Sequence, residues 1–253
     1  MASRYGFVQK FGRTPDMDTA QTNEEVWDGT GVYGGFLAAA AAMTISSSST
    51  ADDATPTAGT GALTVRVIGL DASFNEVTQD VTLNGQTGVA IPTSLIRVYR
   101  AYVLTVGTGG VNAGDIWIGT GDITTGVPAV KHAGILTGQG QTLMAVYTIP
   151  ADIGKGGAKI LRWYASVGAV QSARASLALQ TREFGQGWRT RRTIGIGEGG
   201  TFNEWIAVPD PENPGTWLMG IDVSAKCDIR VRVLLNGVNN STIEAGFDLE
   251  LRT

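Results

Sequence analysis

The chain carries one imidazole and one thiol: His132 is its single histidine and Cys227 its single cysteine among 253 residues. A serine-type triad needs a histidine beside its nucleophile, and no Gly-x-Ser-x-Gly elbow occurs, so that chemistry has no recognisable seat. A lone cysteine closes no intrachain disulfide and builds no cysteine zinc site within one subunit. Cys227 heads the alternating run Asp228-Ile229-Arg230-Val231-Arg232-Val233, with no histidine nearby in sequence to activate it, and reads as a small packed residue. His132 reads as a loop residue.

Four further groups invite a chemical reading. Gly195-Ile196-Gly197-Glu198-Gly199-Gly200 satisfies Gly-x-Gly-x-x-Gly, but a pyrophosphate is held there by the N-terminus of a helix, and Thr201-Phe202-Asn203-Glu204-Trp205 leads towards strand. Asp210, Glu212 and Asp222 could supply the paired carboxylates of a glycoside hydrolase, yet Asp210-Pro211-Glu212-Asn213-Pro214-Gly215 has the composition of a stiffened surface turn. Asp52-Asp53 lacks EF-hand spacing and reads as part of a solvated loop. Arg182, Arg189, Arg191 and Arg192 form the densest basic group. Arg189 and Arg191 share a strand face, so Arg182, Arg189 and Arg191 either meet the acids of a neighbouring subunit or line a solvated face. The expectation is a protein with no catalytic residues, no cofactor and no metal site.

The elements that would position such groups are strands. The 35 glycines are spread without a triplet period and punctuate runs rich in Val, Ile, Leu and Thr. Leu63, Val65 and Val67 alternate with Thr64 and Arg66, residues Asp71 to Asn75 turn the chain, and Val77, Val81 and Leu83 return, which makes a hairpin. Asn84-Gly85 turns again. Leu95 to Val106 and a run ending at Ile116-Trp117-Ile118 follow, and Ala38 to Ala42 is too short to nucleate a helix. Further strands are predicted at 143–149, 159–167, 173–183, 188–196, 217–223, 229–235 and 243–251. Such a chain is all-β, an antiparallel β-sandwich or jelly roll, as one large unit or two stacked sandwiches. The expected division is an irregular arm at 1–35, a sandwich at 36–121, a linker or crossover at 122–141, and a second sandwich or second half at 142–253.

The arm carries Tyr5, Phe7, Phe11, Arg13, Trp27, Tyr33 and Phe36 with little strand periodicity. Aromatic residues on an irregular segment need cover, so the arm either anchors on a neighbouring protein surface or folds back on its own domain. A net charge of -4 argues against broad nucleic-acid binding. No apolar run reaches the roughly 18 residues of a membrane span, and the first ten residues lack the apolar core of a signal peptide. Neither nucleic acid nor membrane is expected as a partner.

Several phrases resemble a known family. Phe11-Gly12-Arg13-Thr14-Pro15-Asp16-Met17-Asp18-Thr19 with Glu25-Val26-Trp27-Asp28-Gly29, then Gly59 to Asp71, Val81-Thr82-Leu83-Asn84-Gly85 and Gly110-Val111-Asn112-Ala113-Gly114, are similar to structural proteins of tailed bacteriophages. The resemblance covers about residues 5 to 120. It implies a virion component assembled in the host cytoplasm: a head decoration or cement protein on the major capsid protein, or else a tail fibre, collar or adaptor component bound to other virion proteins. It also implies a homo-oligomer, with a trimer favoured. A reading of another class is a carbohydrate-binding module, in which Trp117, Trp163, Trp188 or Trp217 stacks on sugar rings.

Overall fold

Alternating residues lie in strands throughout. The computed structural model describes residues 6–29, 31, 33–153, 157–168, 174–197, 199–212 and 217–252. The chain is nearly all β, and the described residues include one short 3-10 turn at Ala151–Ile153. Among the described residues no helix is long and apolar enough to cross a membrane. Two compact units are present: Val32–Leu143, here the inserted unit, and Met1–Gly31 with Met144–Thr253, the flanking unit.

In chain order the flanking unit begins with β1 (Gly6–Met17) and β2 (Glu24–Glu25). The inserted unit holds β3 (Thr44–Ser47), β4 (Ala62–Leu70), β5 (Glu76–Thr82), β6 (Val89–Ala90), β7 (Arg97–Val106), β8 (Ile116–Thr124) and β9 (Val127–Ile135). The flanking unit resumes with β10 (Val146–Thr148), β11 (Ala158–Gly168), β12 (Arg174–Arg182), β13 (Arg189–Gly197), β14 (Thr201–Trp205), β15 (Ala207–Pro209), β16 (Trp217–Met219), β17 (Ile221–Val223), β18 (Asp228–Asn236) and β19 (Ser241–Leu251).

The inserted unit combines a sheet in the order β6-β3-β8-β9 with a sheet β5-β4-β7, all antiparallel. Its core takes Ile45, Val65, Val67, Leu83, Leu95, Ile116 and Ile118. The β4–β5 hairpin turns where predicted, because Asp71 Oδ1 accepts from the amides of Ser73 and Asn75. Residues 122–141, expected as a linker or crossover, contain most of the β8–β9 hairpin, with Gly121 and Gly126 at positive φ. Glycine and threonine here mark a turn within one sheet.

The flanking unit is a sandwich. One sheet runs β1-β19-β11-β14, with β17 on β11; the other runs β10-β18-β12-β13, with β2 on β18. Leu161, Trp163, Ala165 and Val167 of β11 and Ile243, Ala245, Phe247 and Leu249 of β19 are buried, as are Leu177 and Leu179 of β12 and Ile229, Val231 and Val233 of β18. Period-2 alternation puts these residues on the inner faces, except at Leu161, the extra residue of a bulge between Ile160 and Arg162. Removing a buried leucine or aromatic side chain here would cost about 2–5 kcal/mol.

The arm is the main departure from expectation. Residues 6–17 form an edge strand that pairs with β19 from Gly6↔Leu251 to Thr14↔Ile243. Its periodicity was hidden because the inward positions are Gly6, Val8, Lys10, Gly12 and Thr14, while Phe7 and Phe11 point outward. Lysine is common on sheet edges, where it discourages further pairing. Gly12 is required by packing: a Cβ there would collide with the Val26 carbonyl and the Ala145 amide.

Candidate functional site: an aromatic and charged sheet face

Register defines what the β1-β19-β11-β14 sheet shows to solvent. Arg162 stands across from Asp248 on one side and Trp205 on the other, and Asp248 stands across from Gln9. The next row is Phe11, Gly246, Tyr164 and Asn203. Gly246 leaves the space that the Tyr164 ring and the Lys10 carbonyl fill, so the tyrosine lies flat across the sheet. Phe7 is 67%, Phe11 45% and Trp205 54% exposed. Exposed aromatic residues gathered on one rigid face mark a binding surface more securely than the same residues scattered.

Trp205 does not stand alone. Trp217 of β16 stacks on it, with ring centroids 6.0 Å apart and planes within 7°. Arg162 lies 5.2 Å from the Trp205 ring centroid and 4.8 Å from that of Tyr164, within range for cation–π attraction. Its Nε is 2.9 Å from Asp248 Oδ2. Phe7, Val8, Gln9, Leu161, Trp205, Trp217 and Asp248 enclose a cleft of about 200 Å³. Burial pushes the Asp248 carboxyl above its ordinary range, and Arg162 opposes that rise.

The residues singled out in the sequence divide sharply. Of the arm aromatics, Phe7 and Phe11 are on this face, and Tyr5 lies outside the described residues. Trp27 and Tyr33 are buried, and so have no surface to give a partner. Trp27 donates through Nε1 to the Gly31 carbonyl, and Tyr33 through its hydroxyl to the Val98 carbonyl. Arg13 makes two hydrogen bonds to buried Asp28, which ties the arm to its own unit. Phe36 meets Tyr33 edge-on with Arg97 over its ring.

Two of the patch arginines are also engaged within the chain. Arg182 Nη2 lies 2.6 Å from Asp228, Arg191 donates to the Thr181 hydroxyl, and Arg189 remains exposed. Arg230, paired with Glu25, is pulled down to about 10 by burial despite that partner. Trp188 lies over both Arg182 and Arg230. Three of the four tryptophans proposed to stack on sugars are thereby occupied or hidden: Trp117 and Trp163 are core, and Trp188 covers arginines. Trp217 alone reaches the exposed face, beside a residue the sequence reading passed over. Trp205 follows Thr201 and Asn203 on the outward positions of β14, and that alternation was the available signal.

The remaining chemical candidates are structural. His132 lies in β9 and is fully buried, contrary to the loop expected. Since the Gly34 carbonyl can only accept, Nδ1–H donates to it at 2.9 Å, and Nε2 accepts from the Thr120 hydroxyl at 3.0 Å. Burial lowers its pKa. Cys227 is buried, and its thiol is pushed up to about 12, which makes it unreactive. Asp52, expected in a solvated loop, is fully buried. Asp210 Oδ1 accepts from the Glu212 amide, as the predicted turn requires, and Asp222 lies near Lys159 and Arg252. The glycines of Gly-x-Gly-x-x-Gly end β13 and lead into β14, with Glu198 outside the described residues. Among the described residues no group of three or more His, Cys, Asp or Glu is arranged to hold a metal ion. No protein-family model matches this chain, and no curated protein is significantly similar to it.

Proposed function

We propose that this chain is a non-enzymatic structural protein of a tailed-phage particle, mounted on the capsid surface as a decoration protein. The observation that carries the reading is the ribbon β15–β16. Val208 and Leu218 form an exposed cross-strand pair, and Met219 is 73% exposed with φ at 64°. A non-glycine residue in the left-handed region costs on the order of 1 kcal/mol or more. Met219 bears that cost while its apolar side chain stands in water. A partner surface that covers the ribbon recovers the apolar part. The phage-like phrases before Gly114 supply the class of partner, the protein shell of the particle, and the surrounding sheets supply a rigid mount.

Particles of a phage that encodes this chain, labelled with gold-conjugated antibodies against it, should carry gold over the whole shell. Gold confined to one vertex would assign the chain to the tail, as a fibre, collar or adaptor, and unlabelled particles would refute the virion role. The double variant Leu218→Ser, Met219→Ser should keep its dichroism spectrum and fail to join particles. Removing the arm is a poorer test, because residues 6–17 are a strand of the sandwich.

A further inference from the structure

We propose that the cleft beside Trp205 is a sugar subsite that takes one neutral pyranose ring of a glycan. The first support is a flat, fixed aromatic surface. Trp217 backs Trp205 in a nearly parallel plane, and Trp205 still exposes more than half its area. The negative face of an indole attracts the weakly positive C–H groups on the face of a pyranose.

The second support is an acceptor without a donor. Asp248 is 8% exposed and lines the cleft, and its Oδ2 faces Arg162. Its Oδ1 is buried and has no hydrogen-bond partner. A buried carboxylate oxygen left unpaired costs free energy and calls for an explanation. A ligand hydroxyl that donates to Oδ1 would remove that cost. The atom is closed to water in the unliganded chain, so entry takes a side-chain rearrangement of the kind common at binding surfaces. Gln9, exposed and directly across the strand pair from Asp248, adds an amide that both donates and accepts.

Size and charge narrow the ligand. About 200 Å³ is smaller than the ~300–1,000 Å³ of drug-sized pockets and suits one ring. A cationic ligand would compete with Arg162, which already stands over Trp205 and beside Asp248. An anionic one would meet the Asp248 carboxylate that lines the cleft. A neutral ring with several hydroxyls fits the aromatic wall and the unpaired acceptor together.

The proposal concerns the isolated chain and does not depend on where it sits in a particle, so its failure is distinct from failure of gold labelling. Saturation-transfer NMR on the purified full chain, with the methyl glycosides of glucose, galactose, mannose and N-acetylglucosamine at about 10 mM, is the test. At least one of the four should receive saturation. Trp205→Ala should weaken that binding about tenfold or more. Gln9→Ala, at an exposed position, should weaken it less and keeps the test valid if Trp205→Ala disturbs folding; Leu235→Ala, exposed on β18 of the other sheet, should leave it unchanged. Transfer to none of the sugars would overturn the proposal, as would equal transfer in the Trp205 and Gln9 variants, or displacement of the bound sugar by tetramethylammonium.

Discussion

Asp52 of the inserted unit and Asp248 of the flanking unit are both buried carboxylates, and they are treated in opposite ways. Asp52 Oδ1 accepts from the amides of Ala62 at 2.6 Å and Ala113 at 2.7 Å. Its Oδ2 accepts from the Ser47 hydroxyl at 2.6 Å and the Gly114 amide at 2.9 Å. The end of β3, the start of β4 and the loop at Ala113–Gly114 converge on that one side chain, and its hydrogen-bonding capacity is used within the fold. Asp248 holds one ion-pair partner, and its second oxygen has none. A fully satisfied buried polar group specifies structure, whereas a half-satisfied one is a cost that a ligand can relieve. The contrast separates residues that build this protein from residues available to bind something.

The comparison fails first if Asp52 turns out to be dispensable. Asp52→Ala orphans three backbone amides, so the inserted unit should lose about 3 kcal/mol or more of stability. Urea unfolding monitored by hydrogen exchange in residues 62–70 measures that loss, and a cost below about 1 kcal/mol would remove Asp52 from its structural role.

His132 sharpens the same side of the contrast. Its folded pKa lies below the ordinary 6.5, so as pH falls the unfolded chain takes up a proton before the folded one does. The stabilisation is whole above about pH 6.5 and is lost as pH drops through the lowered folded value, by up to about 1.4 kcal/mol per pH unit. As the chain has one histidine, His132→Gln should flatten that slope in hydrogen exchange of residues 127–135. A slope unchanged by the substitution would show that the buried imidazole does not titrate as described.

The smallest effect is expected at Asp248. Its folded pKa is raised by burial, so the folded state holds the proton more tightly than the unfolded chain does. Ionised Asp248 is therefore a net cost at neutral pH, and stability improves as pH falls through the raised folded value towards the ordinary one. Asp248→Asn should change stability by less than about 1 kcal/mol near pH 7 and remove that acid-side gain. A loss as large as that of Asp52→Ala, read by the same denaturation, would erase the distinction between the two sites.

Much of the strand pattern was legible. The runs around Leu63–Val67, Ile229–Leu235 and Ile243–Leu251 carry period-2 burial that survives in the structure. β1 was not legible, since Val8 is the one large apolar residue among its inward positions from Gly6 to Thr14 while its aromatics face out. Nor was the fate of the aromatics. Trp27 and Phe7 sit in the same N-terminal segment, yet one is core and the other is two-thirds exposed.

Local alternation in the chain determined the all-β class, most strands and the principal turns, because side-chain direction in a strand depends only on neighbouring residues. The tertiary structure alone decided that β1 completes a sheet, that Arg182 meets Asp228, and that Trp205, Trp217, Arg162 and Asp248 share one face. Those outcomes depend on which distant strands pair and in what register, and a shift of a single residue would turn each side chain to the opposite face.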